Sequence, residues 1–171
     1  YKLFHHKEKQ KKTQIILCHT SRRLQDYLTS LKLRMGGKYK KSPHYILSKN
    51  GNIINNFPSN NSSEFFGDET IDNQSVVIKG KVYQKNWRDK KFWATYTNKQ
   101  LESLGQLISE LCEELNIEKV LVGHNVKVEG IKRFKGVCSR SNYTEHWTDL
   151  SPAFEFEELK KQLKKDEKDQ T

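Results

Sequence analysis

The apolar positions of this chain fall into short runs separated by polar stretches, and the period changes along the sequence. Ile15, Ile16 and Leu17 make a short run with β-branched residues, which predicts a buried strand from Gln14 to Leu17 that ends at Cys18-His19-Thr20-Ser21. Leu24, Tyr27, Leu28, Leu31 and Leu33 then recur at mostly helical spacing, closed by Gly36-Gly37 as a stop signal. His44–Leu47 and Asn52–Asn55 read as two strands around Lys49-Asn50-Gly51, since Asn-Gly supplies the positive φ angles of a tight hairpin turn.

Residues 58–74 are rich in Ser, Asn and Asp without periodicity and predict a loop, followed by a β-branched strand from Ser75 to Ile78. Lys81 to Tyr96 is basic and aromatic. Thr97 and Gln100 have the T-x-x-Q spacing of a capping box, opening a helix with Leu101, Leu104, Ile108, Leu111, Cys112 and Leu115 on one face. An apolar strand from Lys119 to Val122, a long polar loop from Asn125 to Thr148, and a helix from about Phe154 complete the pattern. Strands mixed with helices predict an α/β fold, a central mixed β-sheet flanked by helices. The expected organisation is a basic arm over residues 1–13, one domain over 14–159 and a charged, disordered tail over 160–171.

Length and charge narrow the partner classes. A chain of 171 residues is long enough for one domain with an ordinary core. No run approaches the roughly 18 apolar residues of a membrane span, and no signal-peptide segment is visible. Because the chain opens at Tyr1, an upstream segment stays open. The net charge of +10 favours an anionic partner: nucleic acid, a membrane surface or an acidic cell-wall polymer, with a solvated lysine-rich surface as the plain alternative. No helix-turn-helix, RNA-recognition or zinc-finger pattern accompanies the charge, which argues against nucleic acid. The three cysteines Cys18, Cys112 and Cys138 have no framework spacing and favour a reducing compartment.

Chemistry concentrates late in the chain. His124 stands where the strand to Val122 ends, and Asp149 stands just ahead of a Pro152-Ala153-Phe154 turn. A histidine and a carboxylate delivered at element ends are the ligand types of a zinc hydrolase that keeps one position open for water.

These pieces, in their order, resemble the zinc-dependent N-acetylmuramoyl-L-alanine amidases, the fold shared with phage amidases and peptidoglycan recognition proteins. The resemblance runs from about Gln14 to Leu159. Ile15 to Ser21 resembles the family's first strand, which ends in His-His-Thr-Ala. Ser42 to Ile53 resembles its Ser-Ala-His-Tyr-plus-hairpin segment. Asp72 to Ile78 resembles its Asn-Asn-Ser-Ile-Gly-Ile strand, and Tyr96-Thr97 to Leu115 resembles its long helix. Val122-Gly123-His124 and Thr148-Asp149 to Phe154 resemble its last two ligand segments.

The resemblance implies zinc held by Cys18, His124 and Asp149, with Cys18 standing where the family has His. A thiolate is a competent zinc ligand but leaves the metal a poorer Lewis acid. Cys18 reads equally as a small buried residue, and Cys138 is a substitute thiol. The implied helpers differ from the family's. Lys79 stands where one branch has the glutamate that activates water, Trp147 two residues before the aspartate where a polar or cationic group is usual, and Pro43 where another branch has tyrosine. An ammonium cannot accept a proton from water; His146 and Lys79 remain as candidates for stabilising an oxyanion. His44 reads as a hydrogen-bonded core histidine. The long loop from Asn125 carries Lys127, Lys132, Arg133, Lys135 and Arg140, a basic rim suited to peptidoglycan or another anionic cell-wall polymer. The aromatics Trp87, Phe92 and Trp93 read either as a stacking surface for sugar rings or as packing on the far side of the sheet.

Two functions follow from the resemblance: a zinc amidase cutting the amide between N-acetylmuramic acid and L-alanine, or an amidase-fold module that has lost its chemistry. The second would serve in cell-wall recognition or with protein partners in a larger assembly. The lysine- and asparagine-rich composition suits a virion component as well as a cytoplasmic protein.

Overall fold

A computed structural model describes residues 10–20, 22–23, 25–26, 28–29, 42–56, 58–62, 65–82, 84–87, 90–144, 150 and 152–169, with side chains of 84–87, 90–93 and 166–169 set apart. In chain order its strands are β1 (Gln14–Thr20), β2 (Tyr45–Leu47), β3 (Ile53–Asn55), β4 (Ser75–Lys81), β5 (Gln84–Trp87), β6 (Lys90–Trp93) and β7 (Gly136–Ser139). Its helices are α1 (Glu69–Gln74), α2 (Asn98–Leu115) and α3 (Phe156–Asp169). Five strands form one sheet in the order β3-β2-β4-β1-β7, while β5 and β6 pair separately. β1 runs parallel to both β4 and β7, β2 is parallel to β4, and only the β2–β3 hairpin is antiparallel. The sheet is therefore mixed and flanked by helices, as the sequence predicts.

β1 is central because its residues are apolar on both faces, as a strand covered on two sides requires. Ile15 and Leu17 face one layer with Val76, Ile78 and Leu47, against Leu104, Ile108 and Leu111 of α2 and Leu159 and Leu163 of α3. Ile16 faces the other layer with Ile71, Ile131 and Cys138, and Cys18 lies there with Val77 and Phe65. The α2 capping box forms as its spacing predicts: the Gln100 N–H donates to Thr97 Oγ1 and the Thr97 N–H to Gln100 Oε1. Gly80 leaves room on β4 for the ring of Tyr96, which stacks edge-on against Phe154 at 5.0 Å and so ties the strand end to the entry of α3.

Four local expectations change. The loop over residues 58–74 ends in α1, capped by Asp68, whose side chain accepts from the Ile71 N–H. The polar loop from Asn125 contains β7, whose four residues are all buried as the second parallel neighbour of β1. In the predicted strand to Val122, only Leu121 forms a bridge, to Val137. The segment from Lys160 is helical through Asp169, with Leu163 buried in the core and the Lys119 ammonium donating to its carbonyl. The expected helix after Ser21 lies mostly outside the described residues, as do residues 1–9 of the basic arm; residues 10–13 are held to the domain, Gln10 N–H donating to Asn60 O and Thr13 N–H to Gln74 O.

His44 is a structural bridge. It is fully buried, its Nδ1 accepts from the Val77 N–H at 3.0 Å, and its Nε2–H donates to Asn61 O at 2.8 Å. That pattern fixes the neutral tautomer with the proton on Nε2. His44→Phe should lower unfolding free energy by about 2–4 kcal/mol in urea denaturation, since it takes the partner from the buried Val77 N–H and removes the bond to the half-buried Asn61 carbonyl.

Lys12 is buried where the chain enters β1, its ammonium donating to Ser75 O at 3.1 Å and Asp72 O at 3.4 Å. Burial, opposed by the nearby Asp72 carboxylate, lowers its pKa from 10.5 to about 8. The unfolded chain then holds the Lys12 proton between about pH 8 and 10.5 while the folded chain releases it, so this group makes stability rise with pH across that window. Unfolding free energy measured from pH 8 to 10 should increase by about 2–3 kcal/mol more in the parent than in Lys12→Met. Equal slopes in the two proteins would reject the assignment.

Candidate functional site

The C-terminal ends of the parallel strands gather the chemistry. On that edge Cys18 of β1 pairs directly with Lys79 of β4, so the two share a face of the sheet. Cys18 is 1% exposed and packs with Val77 and the ring of Phe65. Its thiol donates to Ile78 O at 3.6 Å. The Lys79 ammonium lies 5.3 Å from the centroid of Phe65, and the Arg140 guanidinium lies 5.5 Å from the same centroid. One aromatic ring thus covers the thiol and holds two cations by its quadrupole, a contact of about 0.5–1 kcal/mol each at partly exposed sites.

His124 lies on the same edge, past the Leu121–Val137 bridge, and is exposed. Its Nδ1 accepts from the Val126 N–H at 3.2 Å. Two asparagines shape the loop around it. Asn142, fully buried, accepts from Ser139 N–H and donates to the carbonyls of His124 and Val126. Asn125 grips the main chain of Leu150 from both sides, its Oδ1 accepting from Leu150 N–H at 2.8 Å and its Nδ2 donating to Leu150 O. The residue after His124 is therefore fastened to the residue after Asp149.

Asp149, His146 and Trp147 lie outside the described residues. Among the described residues no three His, Cys, Asp or Glu side chains form a group that could hold a metal. The two implied ligands that are described stand on the same strand edge, the Cys18 thiol donating to Ile78 O and His124 Nδ1 accepting from the Val126 N–H. Cys138 lies in β7 against Ile16, Ile71 and Ile131, and burial pushes its thiol up to about 12. Pro43 is buried and its carbonyl accepts from Asn56 Nδ2.

Comparison with known proteins decides the family. The family described as N-acetylmuramoyl-L-alanine amidase matches residues 1–138. The chain belongs to this family. The match includes Cys18, Lys79 and His124 and stops before Asp149. Among solved structures, the amidase-family chain is similar to the N-acetylmuramoyl-L-alanine amidase LysC of Clostridium intestinale URNW, at 16% identity and TM-score 0.60, over 91% of this chain and 87% of that one. It is also similar to the amidase AmiD of E. coli in complex with anhydro-N-acetylmuramic acid-L-Ala-D-gamma-Glu-L-Lys, at 15% identity and TM-score 0.65, over 91% of this chain and 58% of that one. A third likeness is to AmpDH3 of Pseudomonas aeruginosa with an anhydromuramic pentapeptide, at 14% identity and TM-score 0.65, over 91% and 61% of the two chains. At these identities the likenesses establish the amidase fold. No curated protein matches the chain in sequence.

Phe65, Asn125 and Asn142 escape sequence reasoning in this amidase-family chain, and Arg140 enters it only as one cation of the basic rim. Phe65-Phe66 is an apolar pair inside a polar stretch, which was the one available signal; the asparagines resemble any other loop residues. Phe65→Ala should cost about 3 kcal/mol and expose the thiol beneath. Alkylation followed by peptide mass mapping should then find Cys18 modified in the variant under native conditions and protected in the parent. Modification of Cys18 in the parent at the rate of a free thiol would refute the covering role of Phe65.

Proposed function

We propose that this domain binds peptidoglycan at the C-terminal strand edge and lacks the water-activating step of the amidase reaction. Family membership supports the ligand class. Two proteins of the same fold are solved in complex with anhydromuramic peptides, and the basic edge suits the carboxylates of such peptides. The observation that carries the second half is the Cys18–Lys79 pair beneath Phe65. An ammonium offers no lone pair to take a proton from water, and its charge opposes a cation beside it. Lys79 and Arg140 are suited instead to hold an anionic group of the ligand, with His146 a further candidate from the sequence.

The test is to sediment the protein with purified peptidoglycan and analyse the supernatant for released peptides. Saturable co-sedimentation without release of stem peptides is expected. Catalytic accumulation of peptides freed at L-alanine would overturn the loss of chemistry and leave the ligand assignment standing.

A second reading, zinc hydrolysis with Cys18, His124 and Asp149 as ligands, is favoured by the Asn125 grip on Leu150. That contact keeps the two last ligand segments of the family side by side. Bound zinc would supply a polarised carbonyl and an activated water. Metal analysis of the unchelated protein separates the readings. About one zinc per chain, lost in Asp149→Ala, would establish the second; a metal-free protein that still binds peptidoglycan is the outcome expected here.

A further inference from the structure

The turn over residues 65–67, which lays Phe65 across the strand edge, is held by a single side chain. Asp72 of α1 is buried, and its two carboxylate oxygens accept from successive main-chain groups of the turn: Oδ1 from the Phe66 N–H at 2.9 Å and Oδ2 from the Gly67 N–H at 3.2 Å. Among the described residues the turn makes no other main-chain hydrogen bond. The buried Lys12 ammonium, which donates to Asp72 O, attracts the same carboxylate by its charge. Beyond these tethers the turn is held by its rings. Phe65 packs on Cys18 and Val77 and meets Phe66 edge-on at 5.1 Å, and Phe66 lies against Tyr143. Gly67 is exposed at a φ of +74°, with open space where a Cβ would stand.

We propose that this turn is a gate over the Cys18–Lys79 pair, with Asp72 as the positioning residue that latches it shut and Gly67 as its hinge. Two charge-assisted bonds to one carboxylate form a latch, because withdrawing the turn loses both together. Withdrawal uncovers the thiol and takes the ring from the Lys79 and Arg140 cations. An anionic ligand at the edge therefore competes with Phe65 for those cations, and the closed turn lowers its apparent affinity by the fraction of molecules that are open. That consequence rests on the peptidoglycan reading above; the gate itself does not. Glycine takes a positive φ freely, whereas alanine is strained there. Since a Cβ at position 67 meets no atom, Gly67→Ala penalises the closed backbone alone.

The experiment measures alkylation of Cys18 by peptide mass mapping in the full chain, in Gly67→Ala and in Asp72→Asn. Urea is varied below and through the unfolding transition, which circular dichroism follows in parallel. Withdrawing so short a turn exposes little surface, so the parent rate should be slow and flat in low urea and should later join the slope of global unfolding. Gly67→Ala should raise the flat rate about 5- to 10-fold, and Asp72→Asn about 10- to 100-fold. A Cys18 rate that follows the slope of global unfolding from zero urea, or a flat rate unmoved by Gly67→Ala, would overturn the gate and leave the peptidoglycan reading intact. In co-sedimentation Gly67→Ala should bind peptidoglycan about 5- to 10-fold more tightly than the parent, in step with its alkylation rate. Unchanged binding beside faster alkylation would overturn control of the ligand by the gate. Binding by neither protein would overturn the peptidoglycan reading, and the gate then stands or falls on the alkylation rates.

Discussion

The pairing of β1 on both flanks organises this molecule. A strand buried on both faces and hydrogen-bonded on both edges has no freedom of register, because a slip of one residue would exchange Ile16 and Cys18 with Ile15 and Leu17 between two differently shaped layers. Three consequences follow from that lock. Cys18 is opposite Lys79, Thr20 is opposite Lys81 at the end of β4, and Ser139 is opposite Leu17, which delivers Arg140 to the same edge. The parallel directions of β1, β4 and β7 then collect their outgoing loops at one end, the usual place for ligands in sheets of this kind.

Buried polar side chains hold the loops to this frame. His44 joins β4 to the segment around Asn61, Asn142 cradles the turn after His124, and Asn125 holds Leu150. Each replaces main-chain pairing that an irregular segment cannot make for itself. Lys12 does the same for the carbonyls of Asp72 and Ser75, at the expense of desolvating a charge.

The functional reading rests on the same frame. The chain keeps the amidase fold. On its strand edge Phe65 covers the Cys18 thiol, with the Lys79 and Arg140 cations around the ring.

The elements whose signals are local were legible from the sequence. The β-branched runs of β1 and β4, the Asn-Gly turn between β2 and β3, and the Thr97–Gln100 capping box each owe their form to neighbours a few residues away. The family was legible because its motifs occur in order. Four-residue β7 was not, since its burial comes from β1, more than a hundred residues earlier in the chain. Nor was the six-residue α1, too short to persist without the contacts of Ile71, or the helical course of the segment from Lys160, which follows from burial of Leu163. At the site, sequence determined which residues arrive at the edge; tertiary structure decided that Phe65 covers Cys18 and that Asn125 grips Leu150. Those are long-range contacts, and their free energy exists only once the two strand neighbours of β1 are in place.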